Sequence, residues 1–294
     1  MSDLSPKILI TGASGQLGGL VIEALLQRIP AHQVIATARD PHALAHCAAK
    51  GVNVRPLDYT QPLTIRSALA GVDRVLLISS NAIGQRVPQH QAVINAAREA
   101  GIGFFAYTSV LHAPECSLRI LRDEHTATEE YIRESGLQYA FLRNGWYFEN
   151  YTQSIASVLE HGAVIGCAGD GRISAATRKD YAHAAAVVLT TSPVSSGQVL
   201  ELAGDVGFTL AQYAAEIAEQ TGRQIVYHDV SEAQYIKTLQ QAGLPEGIAR
   251  FVAEADTAAS KGALFDQSNT LHRLLQAPTT TLKQAVANAL KAVH

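Results

Sequence analysis

Three glycines near the start of the chain are spaced as in loops that bind phosphate groups. Gly12, Gly15 and Gly18 follow the short apolar run at 8–11 and open a segment with helical spacing of apolar residues. Glycine allows a tight turn, and its missing side chain lets a pyrophosphate approach the backbone. The first N–H groups of the helix and its dipole then favour the phosphate charge. The GxxGxxG pattern predicts nucleotide binding at a strand–helix turn, the alternative being a glycine-rich turn without a ligand.

Arg39 indicates which nucleotide would bind. It follows residues 33–38, which are expected to form the second strand. An acidic residue at that position would accept hydrogen bonds from the ribose of NAD, whereas a guanidinium suits the 2′-phosphate of NADP. Asp40 is explained as a helix N-cap before Pro41. We therefore expect NADP(H) as the cofactor, with a solvated surface arginine as the alternative.

Strand-like and helix-like segments alternate through the first half of the chain. Strands are expected at 8–11, 33–38, 52–57, 73–79, 103–108 and 138–143, and helices over the apolar spacing from 17 to 29 and at 63–69, 89–100 and 123–135. This alternation predicts an α/β fold, a Rossmann-like doubly wound parallel sheet with helices on both faces. We expect an NADP-binding domain over residues 1–150, to which 175–204 returns, and a smaller C-terminal substrate-binding domain over 151–294.

The second half is less regular. Helices are expected at 151–160, 180–189, 209–220 and after the capping box at 281–284, strands at 198–203 and 224–228, and a glycine-rich connection at 162–171.

Ligands of such sheets bind outside the carboxyl ends of the strands. That rule places Ser109 at the same edge as the glycine loop and Arg39, and it leaves Tyr107 as a strand residue packed in the sheet. The residues expected to contact the cofactor are Gly12, Ala13, Ser14, Gly15, Gln16, Leu17, Gly18, Arg39, Asp58, Tyr59, Ser79, Ser80, Asn81, Tyr107, Thr108, Asn144, Gly145, Trp146, Tyr147, Phe148, Glu149 and Arg172.

Composition excludes several classes of protein. The net charge is −3 and no basic stripe stands out, so we expect no nucleic-acid partner. Three distant cysteines without CxxC, and 11 histidines without HExxH, argue against a disulfide framework and against a metal site. Residues 1–7 lack the regions of a signal peptide, and no apolar stretch approaches the roughly 20 residues of a membrane span. We expect a cytoplasmic protein with no membrane span.

Several segments together resemble the NmrA-like branch of atypical short-chain dehydrogenases. Besides the glycine loop and Arg39, the more specific segments are Leu-Arg-Asn-Gly-Trp-Tyr (142–147) and Gly-Gln-Arg-Val-Pro-Gln-His (84–90). The resemblance covers nearly the whole chain and is greatest to the bacterial quinone reductases of that branch. It implies an NADPH-dependent quinone oxidoreductase. Triarylmethane-dye reductases and the NmrA regulators are relatives, so a dye reductase and an NADP(H)-binding redox sensor stay open as alternatives.

The YxxxK pair of most short-chain dehydrogenases is absent near the expected helix 123–135. Alignment on that helix puts His125 at the lysine position and Leu121 at the tyrosine position. Reduction of a ketone needs a positioned proton donor, so ordinary ketone–alcohol chemistry is not expected. Hydride addition to a quinone spreads the charge over an aromatising ring, so hydrogen-bond donors or water suffice. The protein then has to hold nicotinamide and quinone at stacking distance, and no flavin is needed.

Four residues are candidates for a direct role in catalysis: Asn144, Trp146, Tyr147 and His125. Trp146 and Tyr147, together with Phe148, would form a wall for a flat quinone, or else a core at the domain junction. Asn144 would hydrogen-bond the nicotinamide amide or a quinone oxygen, and His125 either contacts the nicotinamide ribose or is a partly exposed helix residue. His112 and Phe265 are weaker candidates for the pocket wall. The expected partner is a small planar quinone, and a homodimer is left open.

Overall fold

In the computed structural model, residues 5–293 are described. Residues 1–4, on which the expectation about a signal peptide partly rests, lie outside this range. The chain divides into two compact units. Within the described residues, the first comprises 5–115, 119–144 and 178–201, and the second comprises 116–118, 145–177 and 202–293. The polypeptide thus leaves the first unit after Asn144 and returns to it at Arg178.

The first unit is built on a seven-stranded sheet in the order β3-β2-β1-β4-β5-β6-β8. Its strands are β1 (Ile8–Ile10), β2 (Val34–Ala38), β3 (Asn53–Pro56), β4 (Arg74–Leu77), β5 (Phe104–Val110), β6 (Tyr139–Asn144) and β8 (Gln198–Leu202), and its helices are α1 (Gln16–Leu26), α2 (Ala45–Ala48), α3 (Pro62–Leu69), α4 (Arg86–Glu99), α5 (Arg119–Glu134) and α8 (Arg178–Thr190). The pairs from β3 through β6 are parallel. The predicted Rossmann-like α/β fold is confirmed.

Burial on both faces of the sheet explains why its central strands have continuous apolar sequences. Every residue of β1, β2, β4 and β5 is buried. Leu9, Val75, Phe105 and Phe141 belong to a core cluster on one side of the sheet. On the same unit, α1 packs against α8. A parallel sheet covered in this way brings the carboxyl ends of its strands to one edge.

Several helix boundaries in the first unit differ from those predicted. Helix α4 begins at Arg86 instead of residue 89, and α5 begins at Arg119 instead of residue 123. After Asp40, the chain forms a short 3-10 helix, Pro41–Leu44, before α2. The predicted N-cap is confirmed, because the Asp40 carboxylate accepts a hydrogen bond from the N–H of His42 at 2.9 Å.

The second unit contains more secondary structure than the sequence analysis predicted. Its elements are α6 (Glu149–Thr152), α7 (Ile155–His161), β7 (Ala163–Gly166), α9 (Leu210–Thr221), β9 (Val226–Asp229), α10 (Glu232–Gln241), α11 (Glu246–Ser260), α12 (Thr270–Leu275) and α13 (Leu282–Val293). The helix predicted at 151–160 is therefore two short helices. The connection predicted at 162–171 contains β7, which pairs in parallel with β9. Among the described residues, no helix is both long and apolar enough to span a bilayer.

Candidate functional site

The glycine loop has the backbone geometry that its sequence pattern requires. Gly12 has a φ of +59°, a conformation that other residues adopt only with strain. A Cβ atom on Gly18 would overlap the carbonyl oxygen of Gly12, so this glycine lets the helix approach the loop closely. Gly15 is the N-cap of α1 and has no side chain to cover the helix end. The first turn of α1 therefore presents its N–H groups to an anion.

Arg39 and Ser14 lie together beside the glycine loop. With Asp40 and Ala43 they line an open groove of about 410 Å³. The Arg39 side chain is exposed, as a phosphate-binding cation at a groove wall must be. Nearby, hydrogen bonds from Thr60 and the charge of Arg39 lower the pKa of the Asp58 carboxyl. Two predicted cofactor residues on neighbouring strands, Arg39 after β2 and Asp58 after β3, thus lie close in space.

The segment after β4 carries Ser79, Ser80 and Asn81. The N–H of Ile78 donates to the hydroxyl of Thr11 at 2.9 Å, and the N–H of Ser79 donates to the hydroxyl of Thr108 at 2.9 Å. The Tyr59 hydroxyl donates to the carbonyl of Ile78 at 3.1 Å, and burial raises the pKa of Tyr59 to about 12. Tyr59 and Thr108, both predicted to contact the cofactor, hold this segment through its backbone.

Two buried polar atoms at the ends of β5 and β6 have no hydrogen-bond partner among the described residues. They are the hydroxyl oxygen of Ser109 and the amide oxygen of Asn144. Both residues are buried, with 5% and 6% of their surfaces exposed. A buried polar atom without a partner costs about 1–3 kcal/mol, so a bound ligand that supplies one recovers that free energy. Of these two residues, Asn144 is a predicted catalytic candidate, whereas Ser109 is predicted only to lie at the sheet edge.

His125 is 4% exposed, so its interpretation as a partly exposed helix residue is wrong. Its Nδ1 lies 2.7 Å from the hydroxyl of Tyr107, whose ring is fully buried in the sheet as predicted. Burial and the positive charge of Arg86 hold the pKa of His125 well below its usual range. The imidazole is therefore neutral at physiological pH, and it orients the buried hydroxyl of Tyr107. His112 is half-buried, with a φ of +52°, and its N–H donates to Glu201.

The aromatic segment that follows Asn144 belongs to the second unit. Trp146 is half-buried, and its ring centroid lies 6.3 Å from that of Phe251. Phe148 is 2% exposed and stacks on Phe208 at 5.3 Å, which fits the core interpretation for this one ring. Tyr147 is half-buried and forms an isolated β-bridge with Ala176. Trp146 and Tyr147 keep surface for a ligand, whereas Phe148 is buried against Phe208.

Gly145, Glu149 and Arg172, also predicted to contact the cofactor, lie in the second unit as well. The N–H of Gly145 donates to the carbonyl of Leu202 at 2.8 Å, and Glu149 is half-buried at the start of α6. Arg172 is exposed, and its guanidinium donates to the carbonyl of Gly207 and lies 5.2 Å from the ring centroid of Phe265. Their contact with a cofactor stays a prediction.

Comparison with known proteins agrees with this geometry. Residues 5–286 match the model of the NmrA-like family. The chain is 51% identical to quinone oxidoreductase 2 of Escherichia coli, over 96% of this chain and 98% of that protein. The crystal structure of the E. coli NADPH-dependent quinone oxidoreductase complexed with NADPH superimposes with a TM-score of 0.93 at 50% identity, covering 96% of this chain and 99% of that one.

A triphenylmethane reductase from Citrobacter, complexed with NADP(H), is 37% identical, with a TM-score of 0.91 over 96% of this chain and 99% of that one. The match to the family model extends over almost the entire sequence, from the first strand to the last helix. The chain therefore belongs to the NmrA-like family.

Proposed function

We propose that this chain is an NADPH-dependent quinone oxidoreductase that transfers hydride to its acceptor without a flavin. The observation that carries the proposal is the groove lined by Ser14 and Arg39 beside the uncapped first turn of α1. Arg39 supplies a cation for the 2′-phosphate, and the first turn of α1 supplies N–H groups for the pyrophosphate. The 51% identity to a quinone oxidoreductase over 96% of the chain supports the assignment of the acceptor.

The residues of the first unit fit NADPH. Gly12 and Gly18 leave the backbone open to the pyrophosphate, because side chains at these positions would be strained or would overlap the loop. Arg39 binds the 2′-phosphate, and Ser14 lines the same groove. Asn144 offers a buried oxygen that has no partner among the described residues. That oxygen suits a ligand N–H or O–H, such as the carboxamide of nicotinamide or a hydroquinone hydroxyl.

The chemistry needs little acid catalysis from the protein. When bound, NADPH supplies the hydride, and the quinone takes up one hydride and one proton to become a hydroquinone. Ser109 holds a hydroxyl at the strand ends that can donate a hydrogen bond to the oxygen on which charge develops. We assign Trp146 and Tyr147 to contact with the flat face of the acceptor, and the neutral His125 to orientation of Tyr107. The second compact unit then acts as the substrate domain.

The test is steady-state oxidation of NADPH by purified protein that has been freed of flavin, with a simple benzoquinone as acceptor. The proposal expects one NADPH consumed for each quinone reduced, with NADH much less effective. Trp146→Ala should raise the quinone KM while the NADPH affinity stays within about twofold, because it removes positioning of the acceptor and not of the cofactor. Tight binding of NADPH without any turnover would contradict the proposal and favour a redox sensor.

Reduction of triarylmethane-type dyes is a second candidate activity, favoured by the 37% identity to the Citrobacter reductase. The central carbon of a cationic triarylmethane dye accepts a hydride, as a quinone does, within a bulkier frame. Competition between the dye and benzoquinone for one NADPH-loaded protein tests it: mutual inhibition supports a shared acceptor site, and turnover of benzoquinone alone rejects the dye. We also propose a cytoplasmic location, which the buried, reduced thiol of Cys47 supports.

A further inference from the structure

The segment 84–90 is one of the two segments most specific for the resemblance to the NmrA-like family, yet it has no role in the proposed function. It contains the start of α4, whose N-cap, Gln85, makes no side-chain capping hydrogen bond. The first N–H groups of a helix need partners, particularly where they are shielded from water. The partner here comes from a different helix, α5.

The carboxylate of Glu124, on helix α5, caps the N-terminus of α4. Its Oε1 accepts hydrogen bonds from the N–H of Gly84 at 2.7 Å and from the N–H of Arg86 at 3.3 Å. Its Oε2 lies 3.3 Å from the guanidinium of Arg86, and both side chains are 11% exposed. A buried carboxylate is stabilised here by a paired cation and by the positive end of the α4 dipole. Glu124 thus fixes the position at which α4 begins.

Arg86, together with His90 and Gln89, also holds the segment 79–81 that follows β4. The guanidinium of Arg86 donates to the carbonyl of Ser80 at 2.5 Å. The N–H of Ser80 donates to Nε2 of His90 at 3.0 Å, and the hydroxyl of Ser80 donates to Gln89 at 2.5 Å. His90 is fully buried, with its Nδ1 3.0 Å from the hydroxyl of Thr128. Since Nε2 accepts a hydrogen bond, the proton of the neutral ring is on Nδ1 and points to Thr128.

The sheet order places this segment on the nicotinamide side of the cofactor site. Strand β1, with the glycine loop, lies between β2, which ends near Arg39, and β4, which leads to Ser79. A dinucleotide that binds across the end of β1 with its 2′-phosphate on Arg39 extends its other half toward β4 and β5. The side chain of Asn81 is exposed on this segment, and Ser79 is half-exposed.

We propose that Glu124 is a positioning residue for the cofactor: through Arg86 it holds the segment 79–81, which His90 also anchors, against the nicotinamide half of NADPH. This is the role of the segment 84–90, and it rests on the proposed function. The binding free energy of the nicotinamide half then depends on Glu124, whereas that of the adenosine half does not.

The test compares two probes on the folded protein by isothermal titration calorimetry: NADPH, and adenosine 2′,5′-bisphosphate, which carries the 2′-phosphate without the nicotinamide. Glu124→Gln keeps the acceptor for both backbone N–H groups but turns an amide NH2 toward the guanidinium. We expect it to weaken NADPH binding by about fivefold, the effect of one disturbed hydrogen bond, and to leave the bisphosphate within about twofold. Glu130→Gln, an exposed change on the same helix, is the matched control and should alter neither.

A second pair of variants provides a test that remains valid if the Glu124→Gln protein does not fold. His90→Phe keeps an aromatic ring but removes the acceptor for the Ser80 N–H, so it should also weaken NADPH selectively, and His90→Gln should restore much of the affinity by supplying an amide oxygen. The inference is overturned if these variants bind NADPH as tightly as the wild type, or if they lose both probes equally. Failure of the wild type itself to bind NADPH would overturn the proposed function instead, and the inference with it.

Discussion

Replacing Arg39 by glutamine should convert an NADPH-preferring protein into one that binds NADPH and NADH almost equally. Arg39 is exposed at the wall of the groove shared with Ser14, and it is the cation that the groove offers to a 2′-phosphate. A hydrogen bond between charged groups contributes about 1.5–3 kcal/mol. Since about 1.4 kcal/mol corresponds to a factor of ten, NADPH affinity should fall roughly 10- to 150-fold. NADH lacks that phosphate, so its affinity should change by less than about threefold.

The assay is titration of both cofactors with wild type, Arg39→Gln and the control Arg66→Gln, which removes an exposed arginine elsewhere on the first unit. NADPH affinity of the wild type should also decrease with ionic strength more steeply than that of Arg39→Gln, because salt screens the exposed ion pair. Equal weakening of NADPH and NADH in Arg39→Gln, or an equal effect of Arg66→Gln, would refute the role of Arg39 in cofactor choice.

Three further predictions concern stability, each measured by chemical denaturation. Gly18→Ala should destabilise the protein by about 1–3 kcal/mol because its Cβ overlaps the backbone of the glycine loop, whereas Gly19→Ala, whose Cβ would make an ordinary contact of 3.9 Å with the carbonyl oxygen of Ala13, should stabilise it by up to about 1 kcal/mol. Burial lowers the pKa of His90 to about 3, so between pH 7 and 5 the ring gains a proton in the unfolded protein but not in the folded one. The free energy of unfolding of the wild type should therefore decrease over this range by about 2 kcal/mol more than that of His90→Gln. Burial raises the pKa of Asp256 to about 6, so the wild type loses stability as the pH rises from about 4 to 6. Asp256→Asn does not titrate there, so its free energy of unfolding relative to the wild type should increase by up to about 3 kcal/mol between pH 4 and pH 8.

Each of these has an outcome that contradicts it. Equal stability of the two glycine variants would mean that the loop at Gly18 is not tightly packed. Parallel pH curves for wild type and His90→Gln would mean that the buried ring takes up a proton as readily folded as unfolded. A constant difference between wild type and Asp256→Asn at pH 4 and pH 8 would place the titration of this carboxyl outside that range.

The sheet and the cofactor edge could be predicted because their signals are local. Strand β1 is a continuous apolar run followed by a glycine loop, and burial on both faces of a parallel sheet produces that pattern. Arg39 was identified by its position at the end of the second strand, which the strand order places beside the glycine loop. The same rule selected Asn144, whose amide oxygen lacks a partner among the described residues.

The contacts between α4 and α5 could not be predicted, because they join residues distant in sequence. Helix α4 starts three residues before the predicted position, since Glu124 supplies the cap that Gln85 lacks. Glu124, Thr128 and Glu129 are buried polar residues on one side of α5, a pattern that in sequence resembles a solvated face. Strand β7 was missed for a related reason: it has four residues, and its partner β9, which overlaps the strand predicted at 224–228, lies about 60 residues away.

The most direct test of the central claim is a single-turnover reaction of flavin-free protein with NADPH deuterated at the transferred position and a benzoquinone. If the chain transfers hydride directly, the deuterated cofactor should react more slowly with a primary isotope effect, and Arg39→Gln at saturating NADPH should show the same effect. Oxidation that begins only after flavin is added, or binding of NADPH with no transfer to any quinone, would contradict direct hydride transfer by this protein.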